Sequence, residues 1–192
     1  SLGIWPAIED DDIAHAIVSP RDKGAMIEGI EWCSNKTIPV LFDPGQQAIA
    51  FTKDEYERLL PMSAGLIANA YEWQVISDTL SANHQEILER VPLLIVTQGE
   101  QGLVIYTREG ELVIPACKAE KLVNPTGAGD GLRAGFLMGL SQGWSLNECG
   151  RLGAAMGSFV VECEGTLLED FSLQAVWARA KEAYGEALPD LG

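Results

Sequence analysis

Short apolar runs alternate with amphipathic stretches along the first hundred residues of the chain. Four runs are apolar throughout and end at proline, glycine or a polar pair, as buried strands do: residues 13–20, 37–46, 64–70 and 92–99. The stretches between them have apolar residues at helical spacing; Met26, Ile27, Ile30 and Cys33, for example, share one face. This order predicts a parallel sheet that helices cover on both faces.

The intervening stretches predict helices at residues 21–33, 52–60, 71–80 and 81–90, with Thr52 and Ser81 as N-caps. Residues 101–116 alternate around Glu109-Gly110, which indicates a hairpin. Three more helices are predicted at Leu132–Leu140, Leu146–Val161 and Ser172–Tyr184. We expect residues 1–192 to form a single α/β domain.

Composition narrows the possible partners. The formal charge of −15 argues against nucleic acid and anionic membranes, because phosphate groups repel such a surface. The chain has no apolar run long enough to span a bilayer, and its first residues lack the pattern of a secretion signal, so a cytoplasmic location is predicted. The cysteines, at 33, 117, 149 and 163, form no CxxC pair, which favours buried, reduced thiols over a zinc site.

The segment NPTGAGDGLRAGF, residues 124–136, places small residues and one carboxylate ahead of a helical run. Gly127, Ala128 and Gly129 would let a phosphate approach the unpaired N–H groups at a helix start. Asp130 would then be placed to orient and deprotonate an attacking hydroxyl, as phosphoryl transfer requires. A flexible turn whose helix is capped by Asp130 is the alternative. No Gly-Lys-Ser/Thr follows, so this is not a Walker loop.

Two shorter motifs follow predicted strands. TQGEQG contains Thr97, Gly99 and Gly102 around a tight turn, for which a plain hairpin turn is the alternative interpretation. Asn69 and Glu72 are three residues apart at a strand-to-helix boundary, and their oxygens suit Mg²⁺ with its retained waters. A helix-capping pair has the same spacing, so that alternative stays open as well.

Together the three motifs resemble those of the ribokinase-like (PfkB) family of carbohydrate and nucleoside kinases, and they occur in the family's order. The resemblance implies a three-layer α/β/α fold with a mainly parallel sheet, and ATP-dependent phosphorylation of a sugar or nucleoside hydroxyl. It implies Asp130 as the base, with Gly127, Ala128 and Gly129 as the anion hole. It also implies nucleotide contacts from Thr97, Gly99, Gly102 and Asn69, and Mg²⁺ organised through its waters by Asn69 and Glu72.

Other features of the resemblance bear on substrate and cation. FDPGQQ, residues 42–47, is similar to a loop of adenosine-kinase-like members, which favours a nucleoside over a sugar; Asp43 could line the cleft or simply form the turn. Asn124 stands where many members carry an aspartate that helps to hold a monovalent cation, and an uncharged amide there weakens the case for K⁺ activation. Arg133 is expected to be an exposed helix arginine, with contact to a phosphate as the alternative.

The family's N-terminal strands, lid and sugar-binding motif have no counterpart in the sequence. The chain therefore resembles the C-terminal, ATP-binding portion of such a kinase, which could be inactive alone, lack an N-terminal segment, or form a homo-oligomer. Two alternatives to an active sugar or nucleoside kinase remain. One is a non-catalytic nucleotide-binding fragment or assembly partner, and the other is a hydroxymethylpyrimidine-type kinase.

Overall fold

A computed structural model describes residues 13–165 and 172–191, in which six strands form one sheet in chain order. The strands are β1 Ala16–Val18, β2 Val40–Phe42, β3 Gly65–Asn69, β4 Leu94–Thr97, β5 Leu103–Thr107 and β6 Gly110–Ile114. The first four pair in parallel, with registers such as Ile17 to Leu41 and Ile67 to Ile95. Each apolar run of the sequence thus contains a strand. Residues 108–109 join neighbouring β5 and β6, which confirms the hairpin.

Seven α-helices accompany the sheet in the described residues: α1 Lys23–Asn35, α2 Lys53–Leu59, α3 Ala70–Leu80, α4 His84–Leu88, α5 Ala128–Ser141, α6 Leu146–Val160 and α7 Leu173–Tyr184. Thr52 caps α2 as predicted, since its side chain accepts a hydrogen bond from the amide of Glu55. The prediction of Ser81 as an N-cap was wrong. Ser81 ends α3 in a left-handed conformation, and Asn83 caps α4.

The described chain divides into two compact units, one containing residues up to Thr97 with Tyr106–Glu111, the other containing Gln98–Ile105 and residues from Leu112 onward. In the first unit, alternate apolar residues of β1 to β4 form one buried cluster with apolar residues of α1 to α4. Phe42, Phe51 and Tyr56 pack ring against ring there, with centroids 5.3–6.1 Å apart. That one domain spans the chain stays a prediction.

In the second unit, α5 and α6 pack backbone against backbone. A Cβ added to Gly135 would stand 2.9 Å from both the Cα of Gly153 and the carbonyl oxygen of Leu152. A Cβ added to Gly153 would stand 2.7 Å from the carbonyl oxygen of Leu132. Both glycines are therefore required by the crossing. Ala134, their small neighbour in the sequence motif, is exposed and takes no part in this contact.

The four cysteines are free thiols; Cys33, Cys117 and Cys149 are buried and Cys163 is half-buried. Burial raises the pKa of the Cys149 thiol to about 12, so it stays protonated at neutral pH. No helix in the described part of the chain combines the length and apolarity needed to cross a membrane.

Candidate active site

Helix α5 begins without a capping side chain. Its N-cap is Gly127, whose φ of 89° lies in the left-handed region that glycine adopts without strain. Each of the other six described α-helices has an N-cap side chain that accepts from a first-turn amide: Asp22, Thr52, Asn69, Asn83, Ser145 and Ser172. No side-chain atom of the cap thus engages the backbone donors at the start of α5, as an anion site requires, although the amide of Ala128 donates to the carbonyl oxygen of Pro125 at 3.3 Å.

Asp130 lies in the first turn of α5, three residues after the N-cap. Its amide donates to the carbonyl oxygen of Gly127 at 2.9 Å, and the residue is exposed. The alternative in which Asp130 caps the helix was wrong, because α5 begins before it, at Ala128. The carboxylate is favourably placed relative to the helix dipole.

Gly129 is tightly covered by Arg133, one turn further along α5. A Cβ added to Gly129 would stand 2.6 Å from Nη1 of Arg133. The expectation of an exposed arginine was wrong, because Arg133 is half-buried with its guanidinium against Gly129. We call residues 124–129, which lead to Asp130, the glycine loop. The glycine at 129 leaves the space that this guanidinium occupies.

The segment before the loop is tied to the end of α6. The amides of Val123 and Asn124 both donate to the carbonyl oxygen of Val161, at 2.8 and 3.0 Å. Asn124 Oδ1 accepts from the amide of Thr126 at 2.9 Å, and its Nδ2 donates to the carbonyl oxygen of Glu164 at 3.2 Å. Asn124 therefore uses both its donor and its acceptor, and an aspartate could not make the second bond when ionised.

In the first unit, the predicted strand-end residues lie together. Asn69 ends β3 and pairs in register with Thr97, which ends β4. The side chain of Asn69 accepts from the amide of Glu72 at 2.9 Å, and Oε2 of Glu72 accepts from the amide of Asn69 at 2.8 Å. This reciprocal capping box opens α3, so the capping interpretation of the motif is confirmed.

Glu72 is buried for a carboxylate, with only 9% of its surface exposed. Its charge acts on Tyr56, whose hydroxyl donates to the carbonyl oxygen of Ala48 at 2.9 Å. Burial first, and then the charges of Glu72 and Glu55, raise the pKa of the Tyr56 hydroxyl. Tyr56 therefore remains a neutral hydrogen-bond donor beside the carboxylate.

Gly99 and Gly102 flank a turn in the second unit, with φ of 58° and 98°. Gly102 packs directly on backbone: an added Cβ would stand 2.1 Å from the carbonyl oxygen of Ile114 and 2.6 Å from the amide of Ala116. Gly99 has nothing within 4 Å of its Cβ position. The structure therefore shows a structural requirement for Gly102, whereas Gly99 has open space beside it.

Asp43 follows β2 and is only 1% exposed. Its amide donates to the carbonyl oxygen of Val18 at 2.9 Å, which extends the pairing of β2 with β1 beyond the strand. A contact from Asp43 to a ligand stays a prediction.

The predicted site residues thus fall into two groups. Asn69, Glu72 and Thr97 belong to the first unit, and the glycine turn and the loop with Asp130 belong to the second. Among the described residues, no cluster of three or more His, Cys, Asp or Glu side chains could hold a metal by itself. One amide and one carboxylate that is partly engaged in capping suit an ion that keeps most of its waters and takes further ligands from a nucleotide. The start of α5, which has no capping side chain, suits a phosphate.

Comparison with known proteins matches residues 6–170 to the pfkB family carbohydrate kinases. The chain belongs to this family. A nucleoside kinase from Methanocaldococcus jannaschii is 44% identical over 126 residues, which are 66% of this chain and 42% of that protein. A nucleoside kinase from Methanothermobacter thermautotrophicus is 38% identical over 128 residues, 66% of this chain and 41% of the relative.

Among solved structures, the nucleoside kinase of Burkholderia thailandensis in complex with inosine superposes with a TM-score of 0.89 at 33% identity, covering 93% of this chain and 59% of that one. These matches confirm the three-layer α/β/α, ribokinase-like fold with a mainly parallel sheet. They also confirm membership of the nucleoside and sugar kinases of this class. The matched region spans less than half the length of these two nucleoside kinases.

Proposed function

We propose that the protein carrying this sequence transfers the γ-phosphoryl group of ATP to a primary hydroxyl of a nucleoside, with Asp130 as general base. The observation that supports this most is the start of α5, where a helix without a capping side chain places a carboxylate in its first turn. Family membership supplies the reaction class, since the matched relatives are named nucleoside kinases.

In this proposal the backbone amides of Gly127, Ala128 and Gly129 hold the charge of the transferring group. Asp130 accepts the proton of the substrate hydroxyl as its oxygen forms a bond to the γ-phosphorus. The bond between that phosphorus and the bridging oxygen breaks, and ADP leaves with the electron pair. Arg133, packed on Gly129, adds positive charge beside the loop.

The remaining predicted residues have supporting roles in the proposal. Thr97, Gly99 and Gly102 contact the nucleotide, and the open space beside Gly99 is consistent with such a contact. Asn69 and Glu72 organise Mg²⁺ through its waters while they also cap α3. Mg²⁺ would neutralise phosphate charge when bound. The hydrogen bond from Asn124 to Glu164 further weakens the case for a monovalent cation beside Asn124.

Nucleosides are preferred over sugars as the acceptor. The matched nucleoside kinase structures include complexes with inosine and with ADP and inosine. The FDPGQQ loop points the same way, towards an adenosine-like purine nucleoside, and ribose- or fructose-type sugars are the second choice. A nucleotide-binding or assembly role without catalysis is the alternative function, and the short span of the chain relative to its relatives is what favours it.

The test measures phosphorylated product from ATP with a panel of purine nucleosides, pyrimidine nucleosides and sugars. The 192-residue chain and the product of the complete coding sequence are assayed side by side. Asp130→Asn should lower kcat by about 10²–10⁴-fold, the usual contribution of a general base, and leave the KM for ATP nearly unchanged. Asp54→Asn is the matched control, because Asp54 is an exposed acid in the first turn of α2.

Wild-type turnover in Asp130→Asn would contradict the assigned role. Nucleotide binding by the complete product without any phosphorylated acceptor would favour the non-catalytic alternative.

A further inference from the structure

The loop that leads to Asp130 receives its position from the far end of α6. Val161 follows the last residue of α6, and its carbonyl oxygen accepts from the amides of both Val123 and Asn124. Gly127 comes three residues after Asn124, so any movement of Val161 is passed directly to the start of α5. Contacts that hold Val161 in place therefore also hold the glycine loop in place.

Arg179 of α7 holds this end of α6 through a paired contact. Its Nη1 lies 2.9 Å from Oε1 of Glu162, and its Nη2 donates to Oε2 at 3.2 Å. Nη1 also donates to Oγ of Ser158 at 3.1 Å, and the guanidinium carbon lies 3.6 Å from the ring centre of Phe159. One planar cation thus contacts two residues in the last turn of α6 and a third, Glu162, just after it, where a positive charge also complements the helix dipole.

Burial separates this ion pair from ordinary surface pairs. The side chains of Arg179 and Glu162 are only 12% and 14% exposed. A solvent-exposed pair contributes little, because water and salt screen it. In a buried pair, removal of one partner leaves the other charge poorly solvated, so the local structure has to rearrange.

Glu162 also accepts a hydrogen bond directly from the segment that leads into the glycine loop. Its Oε1 accepts from the amide of Glu120 at 2.6 Å. The segment from Glu120 to Asn124 is therefore held at both ends, by the side chain of Glu162 and by the carbonyl of Val161.

We propose that Arg179 is a positioning residue for the glycine loop: through Glu162 it fixes the segment from Glu120 to Asn124 and hence the start of α5. Its effect on catalysis rests on the proposed function, but the anchoring itself does not. Arg179 sets the position of the amides and of Asp130 without touching the reacting groups.

The test compares Arg179→Met and Arg179→Lys with Arg151→Met in the full-length protein. Arg151 is the matched control because it also takes part in an ion pair with a distant part of the chain, with its Nη1 2.7 Å from Oε2 of Glu186. It also lies 5.4 Å from the ring centre of Tyr184, and neither contact involves the segment from Glu120 to Asn124. Hydrogen exchange at the amides of Glu120, Val123 and Asn124 should rise about tenfold or more in Arg179→Met and less than about twofold in Arg151→Met.

In the active protein, Arg179→Met should lower kcat by about tenfold or more with little change in the KM of the nucleoside. Arg179→Lys keeps the charge but loses the paired geometry, so it should recover part of both effects. If Arg179→Met does not fold, Glu162→Gln supplies the same two measurements.

Unchanged exchange at the three amides in a folded Arg179→Met protein would overturn the inference, as would equal effects from Arg151→Met. The two proposals fail separately. A wild-type protein that transfers no phosphate contradicts the proposed function, while the exchange experiment still decides the role of Arg179.

Discussion

Asn69 and Glu72 each accept a hydrogen bond from the backbone amide of the other, at 2.9 and 2.8 Å. Capping alone explains this pair, and Asn83 with Glu86 forms an equivalent box at α4. A role in organising Mg²⁺ would therefore have to show itself in an effect that loss of capping does not produce. The capping box of Asn83 and Glu86, for which no Mg²⁺ role is proposed, serves as the control.

Glu72→Gln should separate the two roles, because glutamine can still accept the amide hydrogen bond but carries no charge. We expect stability to change by less than about 1 kcal/mol, and the Mg²⁺ concentration for half-maximal activity to rise about tenfold. The measurement is a Mg²⁺ titration of turnover together with thermal unfolding. Glu86→Gln is the control, and an unaltered Mg²⁺ dependence in Glu72→Gln would leave only the capping role.

Gly135→Ala should force α5 and α6 apart, because the new methyl group would lie 2.9 Å from backbone atoms that cannot rotate away. We expect a loss of about 1–3 kcal/mol in the free energy of unfolding, measured with denaturant. Ala134→Leu adds more volume one residue earlier on an exposed face, and it should cost less than about 0.5 kcal/mol. Equal stability of the two variants would show that the crossing can relax.

Gly99→Ala and Gly102→Ala should differ although both residues have positive φ. Gly102→Ala meets the backbone of Ile114 and Ala116, so we expect a loss of about 3 kcal/mol or more in the free energy of unfolding. Gly99→Ala should cost about 1–2 kcal/mol, the strain of the left-handed conformation alone. If Gly99 contacts the nucleotide, its variant should also raise the KM for ATP; an unchanged KM would count against that contact.

Asn124→Asp should lose the hydrogen bond to Glu164 and place a carboxylate against its carbonyl oxygen. We expect a loss of about 1–3 kcal/mol at neutral pH, relieved in part by K⁺ but not by tetramethylammonium. The protonated form could still donate, so the carboxyl should have a raised pKa in the folded protein. The free energy of unfolding of Asn124→Asp should therefore be closest to that of wild type below the carboxyl's unfolded-state pKa. It should fall relative to wild type as the pH rises through the folded-state pKa.

Thermal unfolding across pH and salt checks this prediction. Asn83→Asp is the control, since aspartate is as good an N-cap as asparagine. A cation-independent, fully stable Asn124→Asp protein would show that the bond to Glu164 contributes nothing.

Local patterns in the sequence predicted the strands, their parallel order and the three motifs, because buried strands and tight turns leave short-range signals. The start of α5 was placed four residues too late, since the small residues from Ala128 to Gly131 show no apolar periodicity. Their helical conformation depends on an entry segment tied to Val161, a contact distant in sequence. The sequence also did not show that Asn83, and not Ser81, is the N-cap of α4, because this depends on where α3 ends.

Arg179 gave no sequence signal either. It is one cation on an amphipathic terminal helix, where an exposed residue would be the ordinary expectation. Only the pairing with Glu162, seventeen positions earlier, distinguishes it. The role of Arg179 depends on its ion-pair partner, and patterns in a single sequence do not identify a partner seventeen residues away.

The crossing at Gly135 and Gly153 has a consequence for motion. Main-chain atoms meet there directly, so no rotamer change can loosen the contact and neither helix can slide past the other by small steps. We therefore expect α5 and α6 to travel as one rigid body. If the glycine loop opens and closes during turnover, both helices should move with it, and spin labels placed on α5 and α6 should report a constant separation.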